Sequence, residues 1–236
     1  MRWSLGITWA AAALGIGLKM YPSHRTSLTQ PPASRAQAAD SKVYRDAETG
    51  FTFTEYAAEY DIGSSIMFRI ALPEPVNVTN YDVVLQVVAP KDVGWAGLAW
   101  GGSMLDCPLT VSWANGQTLI ISSRYAPQHA MPPTYSGASY TILKTGTHVN
   151  STHWQFTAKC TGCAYFSTGG STKTQLSPTG VNRLAWAAAT GGVKPSNPSS
   201  NTSTLNVHDV YNYWSHDFSQ AGNSNFGSLV SKDAGK

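Results

Sequence analysis

The sequence predicts an all-β, antiparallel β-sandwich. Three observations carry that reading: short apolar runs with two-residue alternation, turn residues punctuating them at short intervals, and no long segment of helical period. Composition agrees. Of 236 residues, 11% are aromatic, eight of them Trp, and only 12% are charged, about half the usual share. The length suits one large domain behind a leader.

The strands follow in order. Residues 51–56 alternate as Phe-Thr-Phe-Thr-Glu-Tyr, and residues 65–72 set Ile66, Phe68 and Ile70 on one face. Residues 81–89 are a nearly continuous Val/Leu run, as in a core strand. Residues 93–100 follow a Pro90-Lys91-Asp92 turn. Strands at 109–113 and 118–122 flank Ala114-Asn115-Gly116-Gln117, and Asn-Gly between apolar runs signals a hairpin. Residues 153–160 and 183–190 make two more strands, 140–143 a weaker one, and 225–232 have helical capacity. Residues 191–206 are Gly, Pro, Ser, Asn and Thr with little else. A polar loop of that length in a compact domain marks function or mobility, and His208 stands just beyond it.

The N-terminus reads as an export signal. Arg2 precedes a fourteen-residue apolar run, 5–18, closed by Lys19. That is short of the roughly 20 residues of a spanning helix and fits a signal segment; the alternative is an uncleaved anchor. The expected boundaries are 1–17 for the signal peptide, 18–40 for a linker or pro-segment, and 41–236 for the domain, with no membrane span in the mature chain. The formal charge of +3 arises entirely within residues 1–40, and the remainder holds twelve basic and twelve acidic residues. No basic stripe is left for nucleic acid. Sequons at Asn77, Asn150 and Asn201 support a secreted, extracellular glycoprotein. In an oxidising compartment Cys160-Thr-Gly-Cys163 reads as a disulfide. Zinc would need a second pair, and a covalent haem would need His where Ala164 stands. Cys107 is left over, either buried and inert or paired between molecules.

No nucleophile elbow, zinc-protease motif or phosphate loop occurs. The acids near interesting neighbours are Asp106, Asp209 and Asp217, and nothing shows two of them converging for glycoside chemistry. The soft or imidazole donors past the leader are Met67, Met104, Met131, His129, His148, His153, His208 and His216. Met67 lies within an apolar strand and reads as packing. Met104 follows Gly101-Gly102-Ser103 and so leaves a strand end on a loop. A thioether there suits haem iron or copper, but on residues alone packing and ligation both stay open for Met104 and His208.

Gly94-Trp-Ala-Gly-Leu-Ala-Trp-Gly-Gly-Ser-Met104 runs on into Leu109-Thr-Val-Ser-Trp-Ala-Asn-Gly116 and Ser122-Ser-Arg124. These blocks, with Asn150-Ser-Thr-His-Trp154, Cys160-Thr-Gly-Cys163, Leu184-Ala-Trp-Ala187 and the aromatics after His208, resemble the cytochrome domain of fungal cellobiose dehydrogenases, across residues 44–230. The resemblance implies an immunoglobulin-like, DOMON-like sandwich with a non-covalent haem b held by loops at one end. It implies Met104 and His208 as axial iron ligands, no ligand at His216, and a Cys160–Cys163 disulfide. His129, where the family often has Tyr, and Trp100 and Cys107, in place of smaller or aliphatic residues, depart from the pattern and bear on the propionate contacts. The implied role is one-electron transfer from an extracellular flavin dehydrogenase or small reductant to acceptors such as copper-dependent lytic polysaccharide monooxygenases or ferric complexes. That is an electron carrier rather than an enzyme, with ferric reductase activity as an accessory. The sequence ends at Lys236 without a dinucleotide-binding Gly-x-Gly-x-x-Gly, so the expectation is either a stand-alone cytochrome or a larger protein that was cut, with electrons from a separate protein or a small reductant. The alternative is a haem-free, DOMON-type carbohydrate-binding module.

Overall fold

In a computed structural model, residues 39–76, 80–167 and 172–233 are described. The signal and nearly all of the linker expected before residue 41, and the Asn77 sequon, lie outside them. The strands in chain order are β1 (Lys42–Arg45), β2 (Thr52–Asp61), β3 (Ser64–Pro73), β4 (Val83–Pro90), β5 (Trp95–Ala99), β6 (Pro108–Asn115) and β7 (Thr118–Tyr125). They continue as β8 (Ser139–Val149), β9 (His153–Thr161), β10 (Tyr165–Ser167), β11 (Lys173–Gln175), β12 (Val181–Ala189), β13 (Val210–Asp217) and β14 (Gly222–Asn223), and helix α1 (Phe226–Asp233) follows.

Two sheets form the sandwich. One runs β1-β2-β3-β4-β9-β8, with β14 beside β3; the other runs β13-β12-β5-β6-β7. Successive side chains on a strand point to opposite faces, so one register of each strand fills the space between the sheets. From the first sheet come Ile66, Phe68, Ile70, Leu85, Val87, Phe156 and Ala158, from the second Leu98, Leu184, Trp186 and Trp214, and from the turn after β5 Trp100. Each fully buried large side chain contributes roughly 1.5–3 kcal/mol. The outer face of the first sheet is closed separately, by Phe226 of α1 against Phe51, Phe53, Val84 and Leu143.

The sequence reading missed β13 and the short strands β1, β10, β11 and β14. Asp40, assigned to the linker, belongs with the domain: its amide donates to the Ser215 carbonyl and its carboxylate accepts the Ser215 amide, both at 2.8 Å. The hairpin turn falls one residue later than the Asn-Gly pair suggests. Asn115 pairs with Thr118, which leaves Gly116 and Gln117 as the loop, and Gly116 takes φ 62°, the left-handed region open to glycine.

Candidate functional site

The register of the second sheet that points away from the sandwich core is where the sequence turns small. Two cross-strand rows run over it. Val111, Gly97, Ala187 and Tyr211 are successive partners in one, and Leu109, Ala99, Ala185 and Tyr213 in the other. Hydrogen and methyl groups at Gly97, Ala99, Ala185 and Ala187 leave the middle of the face low, between larger side chains on either flank. A Cβ on Gly97 would already stand 3.3 Å from the Trp95 ring. All eight residues line a cavity of about 840 Å³, inside the span of small-molecule and cofactor sites, about 300–1,000 Å³.

Met104 reaches this cavity from the β5–β6 loop. Gly102 makes the turn with φ 71°, and a Cβ there would lie 2.8 Å from the Arg183 carbonyl oxygen. Gly101 packs on Cys107, whose thiol donates to the Ser103 carbonyl at 3.1 Å. The loop is thus drawn tight around Met104, which is half-buried against the core.

His208 reaches the same cavity from the loop ahead of β13. Asp209 anchors it. Its carboxylate accepts the Thr190 amide at 2.9 Å and the Thr190 hydroxyl, and its own amide donates to the Ala188 carbonyl. Burial pulls the Asp209 carboxyl up, but these hydrogen bonds outweigh it and hold the group below its ordinary value. Burial pushes the His208 imidazole down, with Asp209 opposing, which favours the neutral form that ligates metals. Ring contacts from Trp95 at 6.4 Å and Tyr211 at 5.1 Å fix the imidazole. Gly94 lets the loop return: a Cβ there would fall 2.0 Å from the Val193 carbonyl oxygen.

The two loops do not share an end of the sandwich, as the sequence reading expected. Met104 follows Ala99, whereas His208 precedes Val210, whose partner Ala188 pairs with Ala96 at the start of β5. The two side chains therefore approach one cavity from opposite ends of β5, across the outer sheet face.

Around the mouth stand His129, Met131, Arg183 and the exposed Val207, Tyr211 and Tyr213. The Arg183 guanidinium lies 4.1 Å over the Tyr213 ring. Among the described residues no Asp, Glu or Cys lines the cavity, so an anionic ligand meets no carboxylate there. The Met131 sulfur accepts the Leu205 amide at 3.4 Å, which ties the two loops. Three buried ring nitrogens of lining residues, Trp95 Nε1, Trp186 Nε1 and His208 Nδ1, have no hydrogen-bond partner among the described residues. Low small-residue floor, thioether, neutral imidazole and absent carboxylates together fit a flat, apolar, dianionic macrocycle whose iron takes nitrogen and sulfur ligands.

The other sequence candidates lie elsewhere. His216 is fully buried in the core. Met67 is on β3, His153 bonds Thr152, and His148 faces Glu48 at 3.5 Å. Trp100 points into the core and donates to Thr110 Oγ1, so neither it nor Cys107 touches the cavity, whereas His129 does. Cys160 and Cys163 are bonded to each other and Cys107 is a free, buried thiol. The Asn150 side chain closes a turn with Thr152 and His153, and Asn201 is exposed on the long loop. Sequence reasoning missed Trp95, Arg183 and the Gly/Ala floor; the alternate small residues of Trp-Ala-Gly-Leu-Ala and Leu-Ala-Trp-Ala were its available signal.

Comparison with known proteins agrees with this geometry. The family described as the cytochrome domain of cellobiose dehydrogenase matches residues 44–228. A pyrroloquinoline quinone-dependent pyranose dehydrogenase of Coprinopsis cinerea is 31% identical over 169 residues, 71% of this chain and 22% of the relative, so the chain spans about a fifth of that protein's length. The cytochrome b domain of pyranose dehydrogenase from Coprinopsis cinerea superposes with TM-score 0.71 at 26% identity, covering 84% of this chain and 97% of that one. The cytochrome domain of Myriococcum thermophilum cellobiose dehydrogenase gives 0.72 at 26%, covering 84% and 98%. The small-residue sheet face, the cavity above it and a family match over residues 44–228 lead to one assignment: this chain belongs to the cytochrome-domain family of cellobiose dehydrogenase.

Proposed function

We propose that this chain carries one non-covalent haem b and passes single electrons, with Met104 and His208 as the axial ligands. The observation that supports this best is that these two side chains wall the same cavity from opposite ends of β5, over a floor of Gly and Ala. Held between Met104 and His208, a haem would supply one-electron ferric–ferrous exchange. The Met104 thioether would favour the ferrous state and raise the potential. The His208 imidazole that would hold the iron is fixed by Trp95 and Tyr211, on a loop anchored by Asp209. A hydrogen-bonded sheet between the two loops keeps their spacing nearly constant, so little rearrangement accompanies each transfer.

The chain is read as secreted after loss of residues 1–17, with glycans at Asn77, Asn150 and Asn201. Its donor is a sugar-oxidising dehydrogenase, carrying a flavin or a quinone, or a small reductant. Its acceptors are copper-dependent lytic polysaccharide monooxygenases or ferric complexes. Exposed Val207, Tyr211 and Tyr213 leave the cavity mouth open to such partners.

Visible spectra of the purified protein, oxidised and reduced, test the reading. A Soret band with a low-spin reduced spectrum is expected, and acid–acetone should extract the pigment. Met104→His should keep the haem and lower its potential, because imidazole favours ferric iron more than a thioether does. His208→Ala should lose haem, and His216→Ala should not. Protein that folds, binds sugar and takes up no haem would establish the carbohydrate-binding alternative instead.

A further inference from the structure

Arg124 on β7 is 2% exposed, and among the described residues no carboxylate forms an ion pair with it. Its donors go to neutral oxygens. Nε donates to Ser122 Oγ, Nη1 to the Pro132 carbonyl at 3.0 Å, and Nη2 to the carbonyls of Asn201 at 3.0 Å and Ser203 at 2.7 Å. Ser122 Oγ in turn donates to the Asn201 carbonyl.

The three carbonyls sit on two loops. Pro132 itself walls the cavity, as do Met131 beside it and Leu205, two residues past Ser203; His208 is three residues further on. Burying a cation without a counter-charge is costly, and apolar side chains of similar volume usually stabilise a fold as well or better. What a guanidinium adds is a rigid planar fork that fixes several acceptors at once, which a Lys ammonium does not. It also adds a charge that persists at every working pH.

We propose that Arg124 is a positioning residue for the cofactor site: it locks the His208 loop and the Met131 loop to β7, and its unneutralised charge biases a bound haem toward the ferrous state. Reduction of ferric to ferrous iron removes one positive charge, and a fixed cation buried behind the cavity wall, bonded to the wall residue Pro132, favours that removal. The electrostatic half rests on the haem reading above; the locking half does not.

Two variants of the full chain, as purified, test both halves. Arg124→Met keeps the apolar stem and removes donors and charge; Arg124→Lys keeps the charge. Amide exchange across residues 199–208 should accelerate about tenfold or more in both, since bonds to a charged donor are lost, while exchange in β4 stays unchanged. The reduction potential should fall in Arg124→Met and lie nearer wild type in Arg124→Lys. Unchanged exchange at 199–208 in both variants overturns the lock. A wild-type potential in haem-loaded Arg124→Met overturns the charge bias. If Arg124→Met does not fold, Arg124→Lys decides alone, through faster loop exchange at a near wild-type potential or its failure. A wild-type protein without haem would defeat the haem reading and leave the exchange experiment to judge the lock.

Discussion

Nδ1 of His216 accepts the indole N–H of Trp214 at 2.9 Å, so the proton of the neutral ring sits on Nε2, which meets Thr54 Oγ1 at 2.8 Å. Trp214 and His216 belong to β13 and Thr54 to β2. The imidazole is therefore a strut between the two sheets, with both nitrogens used and neither free for iron.

That strut makes stability depend on pH. Burial, only partly offset by Asp217 and Thr54, pushes the His216 pKa from 6.5 to about 3. Above pH 6.5 the ring is neutral whether the chain is folded or unfolded, and its full contribution is present. Between pH 6.5 and 3 the unfolded chain binds the extra proton, so stability falls with falling pH, by about 2 kcal/mol at pH 5. Urea midpoints at pH 7 and pH 5 should show this loss, and His216→Gln, which can keep both hydrogen bonds, should flatten it. An equal loss in that variant would place the titration on another group.

The sheet floor should decide whether the cavity accepts a flat ligand. Ala187→Leu fills the row between Gly97 and Tyr211 without touching the core register. The ratio of Soret to protein absorbance should fall severalfold while the far-ultraviolet circular dichroism stays unchanged. Full haem content in this variant would place the ligand away from that face.

Gly102→Ala should distort the Met104 loop. The residue would be forced to φ 71° with its Cβ 2.8 Å from the Arg183 carbonyl oxygen, a combination worth about 1–3 kcal/mol of stability. Thermal melts should show the loss, and the reduced spectrum should lose the signature of sulfur ligation more readily than in wild type. A melt equal to wild type would mean that the loop relaxes freely.

Cys107 should be silent to thiol reagents in the folded protein. It is 1% exposed, and burial raises its pKa to about 11, so the reactive thiolate is scarce at neutral pH. One thiol should react after denaturation without reductant, and none before. Two or more would mean that the Cys160–Cys163 bond is incomplete in solution.

Much of the fold was legible because its strands alternate cleanly. Ile66, Phe68 and Ile70 announce one face of β3, and Arg183, Ala185 and Ala187 alternate with the buried Leu184, Trp186 and Ala188 on β12. β13 was not legible, because Tyr211 to Tyr213 are all exposed and Trp214 to His216 are all buried. The edge of a sheet above a cavity breaks the two-residue rhythm that a sequence reader relies on. Met104 and His208 came from family resemblance; no local pattern says that residues so far apart line one cavity. Arg124 was unreadable for a different reason. A Ser-Ser-Arg segment looks like a solvated strand end, and only the return of the 191–207 loop over β7 buries it.

The division of β5 and β12 into two registers has a consequence for how such a protein tolerates change. Leu98, Leu184 and Trp186 hold the sandwich together, while Gly97, Ala99, Ala185 and Ala187 shape the cavity on the reverse side. The same few residues of backbone thus serve as a partition wall with separate furnishings on each side. Substitutions on the cavity register can resize or re-polarise the chamber without repacking the interior. Change on the cavity register is therefore less costly for this architecture than change in its core.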